Sequence, residues 1–203
     1  MNIETKNKMH AYFRKDQYDK ALEIADNYLS NIDSSDWDAL YMKASIFSTP
    51  FPEYYDCYTA IGIIMVALDK DRSDINRWHA AGDIFNLCGI YAEAERCYRR
   101  VLEMDPTNYL AIISITIQQG APGTQITAEE VKTLLETAIS SKPDEWNAYH
   151  HLAVLLRKLG DKKQAMEMYE SALVRLPDTE NERMRPELEK QIKSLKEEMT
   201  DID

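Results

Sequence analysis

The chain has 203 residues, 44% of them hydrophobic, which is enough to bury a continuous core and too many for a disordered chain. Its 35 acidic residues against 24 basic ones give a formal charge of -11, which repels nucleic-acid phosphates and anionic lipid alike and excludes both as expected partners. The opening MNIETKNKMHAYFRKD has no apolar secretion core, and the longest apolar run, residues 60–68, is about half a membrane span, so a cytoplasmic location away from membranes is expected. Cys57, Cys88 and Cys97 are odd in number and form no CxxC pair. They are expected as buried or half-buried thiols in a reducing compartment, neither a disulfide framework nor a zinc ribbon.

Six glycines and seven prolines punctuate the chain, and apolar residues recur at spacings of three and four almost throughout, so every element is expected to be helical. Residues 2–33 carry Tyr12, Ala21, Ala25 and Leu29 at such spacings. Residues 34–74 carry Trp37, Leu40, Ala44, Ala60 and Ala67, with Ser34 or Ser35 placed to cap the first helix. Residues 75–108 open on Asp74 as a cap and run through Trp78, Gly82, Phe85, Ala94, Tyr98 and Pro106. In residues 109–145 a capping box from Thr127 to Glu130 precedes Val131, Leu135, Ala138, Ile139 and Pro143. Residues 146–179, with Asp144 as the expected cap, carry Tyr149, Leu152, Ala153, Leu156, Gly160, Ala165, Tyr169, Ala172 and Pro177. A final stripe of Leu188, Ile192, Leu195 and Met199 predicts a helix over about 183–200, with Pro186 in its first turn, closing the last bare face.

These segments are copies of one another. Ala94, Tyr98, Val101, Leu102 and Pro106 fall on Ala165, Tyr169, Ala172, Leu173 and Pro177 at an offset of 71, which is two periods of roughly 34 with three residues added. Large residues at four, eleven and twenty-four of each unit fill the space between helices. Ala or Gly at eight, twenty and twenty-seven lets backbones approach. Proline at thirty-two ends the second helix.

In Trp78, Gly82, Phe85, Ala94, Tyr98 and Pro106, and again in residues 146–179, the pattern resembles the tetratricopeptide repeat (TPR). The resemblance implies an all-α, right-handed superhelical solenoid of about five helix-turn-helix repeats with a C-terminal capping helix. It also implies that the first helix of each hairpin faces a concave groove through positions two, five, nine and twelve. Carried onto this chain, the groove takes Ile3, Lys6, His10 and Phe13, then Ser35, Asp38, Met42 and Ser45. It continues with Asn76, His79, Asp83 and Asn86, with Leu110, Ile113, Ile117 and Gly120, and with Asn147, His150, Val154 and Arg157. Members that grip acidic chaperone tails place Lys, Asn and Arg on this wall. Here Lys6 fits, but His10, Ala39, Asn76 and Ala80 take the other places, which disfavours that role.

Leu110, Ile113, Ile117 and Val154 form an apolar patch that either anchors a partner or lies under residues 118–127 or the C-terminal helix. An insertion, STPFPEYYD, lengthens the second hairpin, so that Trp37 to Ala60 spans 23 residues where Trp78 to Ala94 spans 16. Its Phe51, Tyr54 and Tyr55 are candidate loop contacts, with packing onto the next hairpin as the more ordinary role. No catalytic residue, cofactor site or metal site is expected. His79 and Asp83 share a helical face but supply two ligands where zinc takes three or four, and His150 and His151, adjacent in sequence, are expected to point apart. The expected function is a non-catalytic scaffold that binds a peptide or helix of another protein, basic or neutral with apolar anchors. A dedicated secretion chaperone or immunity-type inhibitor, and a small-molecule or signalling-peptide receptor, are the alternatives. The oligomeric state is not legible.

Overall fold

Gly82 and Tyr98 show how a helical hairpin closes in this chain. In a computed structural model describing residues 1–200, a methyl group built on Gly82 would lie 2.5 Å from Tyr98 Cε1 and 2.8 Å from its Cδ1. The tyrosine ring rests on the backbone of the opposite helix, where only hydrogen can stand.

Every element among the described residues is helical. The first compact unit, Met1–Met104, contains α1 (Ile3–Phe13), α2 (Tyr18–Asn31), α3 (Trp37–Phe47), α4 (Cys57–Lys70), α5 (Ile75–Leu87) and α6 (Tyr91–Met104). The second, from Asp105 onward, contains α7 (Tyr109–Ile117), α8 (Ala128–Ser141), α9 (Trp146–Lys158), α10 (Lys162–Arg175) and α11 (Asp178–Thr200). Consecutive helices pair as five hairpins whose bounds agree with the repeat units. The alanines at the small positions, Ala21, Ala60, Ala67, Ala94, Ala153, Ala165 and Ala172, are all fully buried. Between them sit large side chains, Tyr98 and Tyr169 above all.

The helix starts differ from expectation in two places. α3 is capped by Asp36, which accepts from the Ala39 amide at 3.0 Å, while Ser35 is turned back and donates through its own amide and hydroxyl to Asp33. α9 follows Glu145 rather than Asp144 and has no side-chain cap. Asp74 and Thr127 cap α5 and α8 as their positions suggest, accepting from Asn76 and Glu130 amides.

The C-terminal helix is longer than expected. α11 begins at Asp178 and carries Pro186 in its interior, not in its first turn. Pro177 supplies the start signal that Pro186 had suggested, and Glu180 donates from its amide to the Pro177 carbonyl at 2.9 Å. Leu188 and Leu195 are fully buried and Ile192 nearly so, which closes the open side of the last hairpin.

The cysteine expectation is corrected too. Cys57, the first residue of α4, forms a disulfide with Cys88, which caps α5, at a Cα separation of 5.6 Å, and only Cys97 is free. The pairing joins neighbouring hairpins, so no spacing within one repeat announces it. Closing a loop of 31 residues stabilises the fold by about 3 to 4 kcal/mol in the chain-entropy view.

Replacing Gly82 by Ala tests the closure. Tyr98 is 1% exposed and its hydroxyl is held by Asp83, so the ring cannot withdraw. With the ring unable to withdraw, overpacking falls in the upper part of its usual range, about 2–3 kcal/mol, and outweighs the gain of roughly 1 kcal/mol in helix propensity. The expected result in calorimetry is a melting midpoint lowered by roughly 2 to 8 °C; an unchanged or raised midpoint contradicts the close approach.

Candidate functional site

The first helices of the first three hairpins converge on one cavity. His10 and Phe13 from α1, Met42 and Ser45 from α3, and Asp83 and Asn86 from α5 all line a space of 570 Å³, within the size range of ligand pockets. All six are groove residues carried over from the repeat pattern. Of the others in this unit, Lys6 pairs with Asp38 at 2.6 Å, joining α1 to α3. His79 packs its ring on Tyr98 and places Nδ1 3.3 Å from Asp83. Asn76 is exposed in the first turn of α5, Ile3 is 77% exposed, and Ser35 belongs to the Asp33 turn.

Five further lining residues escaped the pattern: Tyr41, Ser48, Thr49, Pro50 and Leu87. Tyr41 carried a signal. It stands at position eight of its unit, where Gly82 and Ala153 stand in the third and fifth, so a ring occupies a place that the two best-matched repeats give to small residues. Tyr41 stacks on Trp37 with centroids 5.6 Å apart and planes 10° apart, and Arg77 lies over the other ring. Burial, reinforced by the charge of Asp83, pushes the Tyr41 hydroxyl pKa above its ordinary value.

The second-hairpin insertion supplies Ser48, Thr49 and Pro50. Ser48 and Thr49 are buried, and their hydroxyls donate to the carbonyls of Ser45 and Ile46 at 2.9 and 2.8 Å. The rings of the insertion pack backward, not onto the next hairpin as expected. Phe51 and Tyr54 lie against Tyr18 with centroids 5.5 and 5.2 Å away, and the Tyr54 hydroxyl donates to Asp19. Tyr55 is 50% exposed.

In the second unit Leu110 and Ile117 are 63% and 61% exposed, so neither residues 118–127 nor α11 buries them. Ile113 and Asn147 are half-buried, and Gly120 turns the chain after α7 with φ +83. Ile117, His150 and Val154 line a smaller cavity of 270 Å³ together with His151, Thr116 and Lys158. His150 and His151 were expected to point apart, yet both line this cavity with ring centroids 5.4 Å apart. About 100° of helix separates neighbouring side chains, which two rings of that length can bridge. Arg157 is withdrawn from the wall: it bonds Gln191, Ser194 and Glu198 of α11.

Among the described residues no group of three or more His, Cys, Asp or Glu is placed to hold a metal ion, and no helix is long and apolar enough to cross a membrane. The architecture is an all-α array of helical hairpins whose first helices present polar and apolar side chains around open cavities. Residues 75–108 and 147–173 match the tetratricopeptide-repeat family. No curated protein sequence matches the chain. Among solved structures the fold is similar to that of MamA, with 15% identity, a TM-score of 0.65, and coverage of 86% of this chain and 95% of that one. MamA from Desulfovibrio magneticus RS-1 (41-end) gives 16% identity, a TM-score of 0.65, and 83% and 91% coverage. YrrB, described as a TPR protein with an unusual peptide-binding site, gives 17% identity, a TM-score of 0.58 and 87% coverage of each chain. At these identities the likeness establishes the fold.

His151 gives the second cavity a pH signature. Burial, and then its neighbour His150, push its pKa down to about 4 from 6.5, so the folded chain keeps the ring neutral while the unfolded chain protonates it near 6.5. That contribution is present above 6.5 and is lost as pH falls towards 4. Between pH 7.5 and 5.5 urea titrations should show the wild type losing roughly 1 kcal/mol more stability than His151→Gln. Equal losses in the two proteins would contradict the neutral buried ring.

Proposed function

We propose that this chain is a non-catalytic protein-interaction scaffold. It binds a peptide or helix segment of a partner protein against the first helices of its hairpins. The observation that carries the reading is the 570 Å³ cavity, where α1, α3 and α5 set Phe13 and Met42 among the polar side chains of His10, Ser45, Asp83 and Asn86. Apolar anchors with a few oriented polar groups are what a peptide site requires. Leu110 and Ile117 offer a second contact, since two exposed aliphatic side chains lie about two turns apart on one face of α7. The peptide-binding site of YrrB, which shares the fold, supports the same class of ligand. The net charge of -11 steers a basic or neutral segment towards the chain. As for location, disulfides persist in oxidising compartments, so the Cys57–Cys88 bridge weighs against the reducing cytoplasm suggested by the sequence.

Peptides selected from a random displayed library against the whole chain provide the test. Phe13→Ala in the first wall, or Ile117→Glu in the second, should weaken the selected peptides roughly tenfold or more, as loss of an anchor does. Val174→Glu on α10, where the side chain is 84% exposed, should leave affinity unchanged. Selection that enriches nothing, or binding that responds to Val174 and to neither wall residue, overturns the proposal.

A further inference from the structure

The serine and threonine hydroxyls of the first cavity are all turned one way. Ser45 donates to the Tyr41 carbonyl at 2.8 Å, Ser48 to the Ser45 carbonyl at 2.9 Å and Thr49 to the Ile46 carbonyl at 2.8 Å. Each hydroxyl has one proton, and with that proton given to the backbone the oxygen presents only lone pairs to the cavity. Asp83 adds a carboxylate. It accepts from the Tyr98 hydroxyl at 2.7 Å through Oδ1 and lies 3.3 Å from His79 through Oδ2, which leaves part of its roughly four acceptor positions for a ligand. Among the described lining residues Asp83 is the one formal negative charge, and no Lys or Arg lines the space. The nearest lysine on this wall, Lys6, is paired with Asp38. His10 is held towards its neutral form, first by burial and then by Lys6.

Beside the Asn86 amide, the His10 ring and the Tyr41 hydroxyl, which can also donate, the cavity has one carboxylate, three hydroxyl oxygens left with lone pairs and two aromatic rings, Phe13 and Tyr41; the carboxylate and those acceptors complement a group that only donates. Among side chains, the guanidinium of Arg and the ammonium of Lys carry donors and no acceptor, and both are attracted to aromatic faces. We infer that this cavity receives the cationic side chain of an Arg or Lys in the bound peptide, with Asp83 as its counter-ion. This assignment rests on the peptide-binding reading above and adds a specificity to it. The hydroxyls of Ser45, Ser48 and Thr49 accept from the cation. The rings of Phe13 and Tyr41 flank its stem, with Leu87 and Pro50 beside them.

Asp83→Asn separates charge from structure, because the Asn carbonyl oxygen still accepts from Tyr98. Acetylated peptides of sequence Gly-Leu-Xaa-Leu-Gly, with Xaa as Arg, Lys or citrulline, are titrated into the full chain and its variant, and amide shifts are followed by NMR. Melting midpoints confirm that both proteins are folded. The expected result is that the Arg and Lys peptides bind the wild type at least about tenfold more tightly than the citrulline peptide. In Asp83→Asn that preference shrinks to less than about threefold. If citrulline binds as well as Arg, or the preference survives Asp83→Asn, the counter-ion assignment falls and the peptide-binding reading stands. If none of the peptides moves the amide signals of α1, α3 or α5, the assignment falls together with the reading on which it rests.

Discussion

The contact on which this structure depends is that of a large ring with a backbone that has no side chain in its way. Tyr98 lies on Gly82, and fully buried alanines repeat the arrangement along both units. Within each unit, helices that close share their apolar faces with each other and with the next hairpin, so burial there needs no strand pairing. The same closeness has a functional outcome. Because the second helix of a hairpin covers one side of the first, the opposite side of α1, α3 and α5 is left for other work. There the side chains are mixed: Phe13, Met42 and Tyr41 beside His10, Ser45, Asp83 and Asn86.

Most of the architecture was legible because size alternation has a fixed period. Trp78, Gly82, Ala94, Tyr98 and Pro106 define a hairpin by volume and backbone chemistry alone, and every hairpin boundary follows once the period is known. Features outside the period were not legible. Cys57 and Cys88 lie in neighbouring hairpins and meet only after stacking. The start of α11 was ambiguous because two prolines, Pro177 and Pro186, both suit a helix start, and the helix begins after the earlier one. Asp36 rather than Ser35 caps α3 because Asp33 captures the serine first.

The candidate site was legible in part, for the same reason. Six wall residues follow from helical position, since positions nine and twelve of a first helix stay on one face. Ser48, Thr49 and Pro50 come from an insertion, whose path no period governs, and they close the cavity because Phe51 and Tyr54 pack back on Tyr18. Arg157 sits at a wall position but answers to α11, where Glu198 and Gln191 take its donors. Asp83, by contrast, lines a cavity.

On the proposed function, ligands meet the first helices of the hairpins and not the second. Hydrogen–deuterium exchange of the chain, with and without a selected peptide, reads this out helix by helix. New protection is expected in α1, α3 and α5, or in α7 and α9, with α2, α4, α6, α8 and α10 unchanged. Protection confined to the second helices, or to α11 alone, would contradict it.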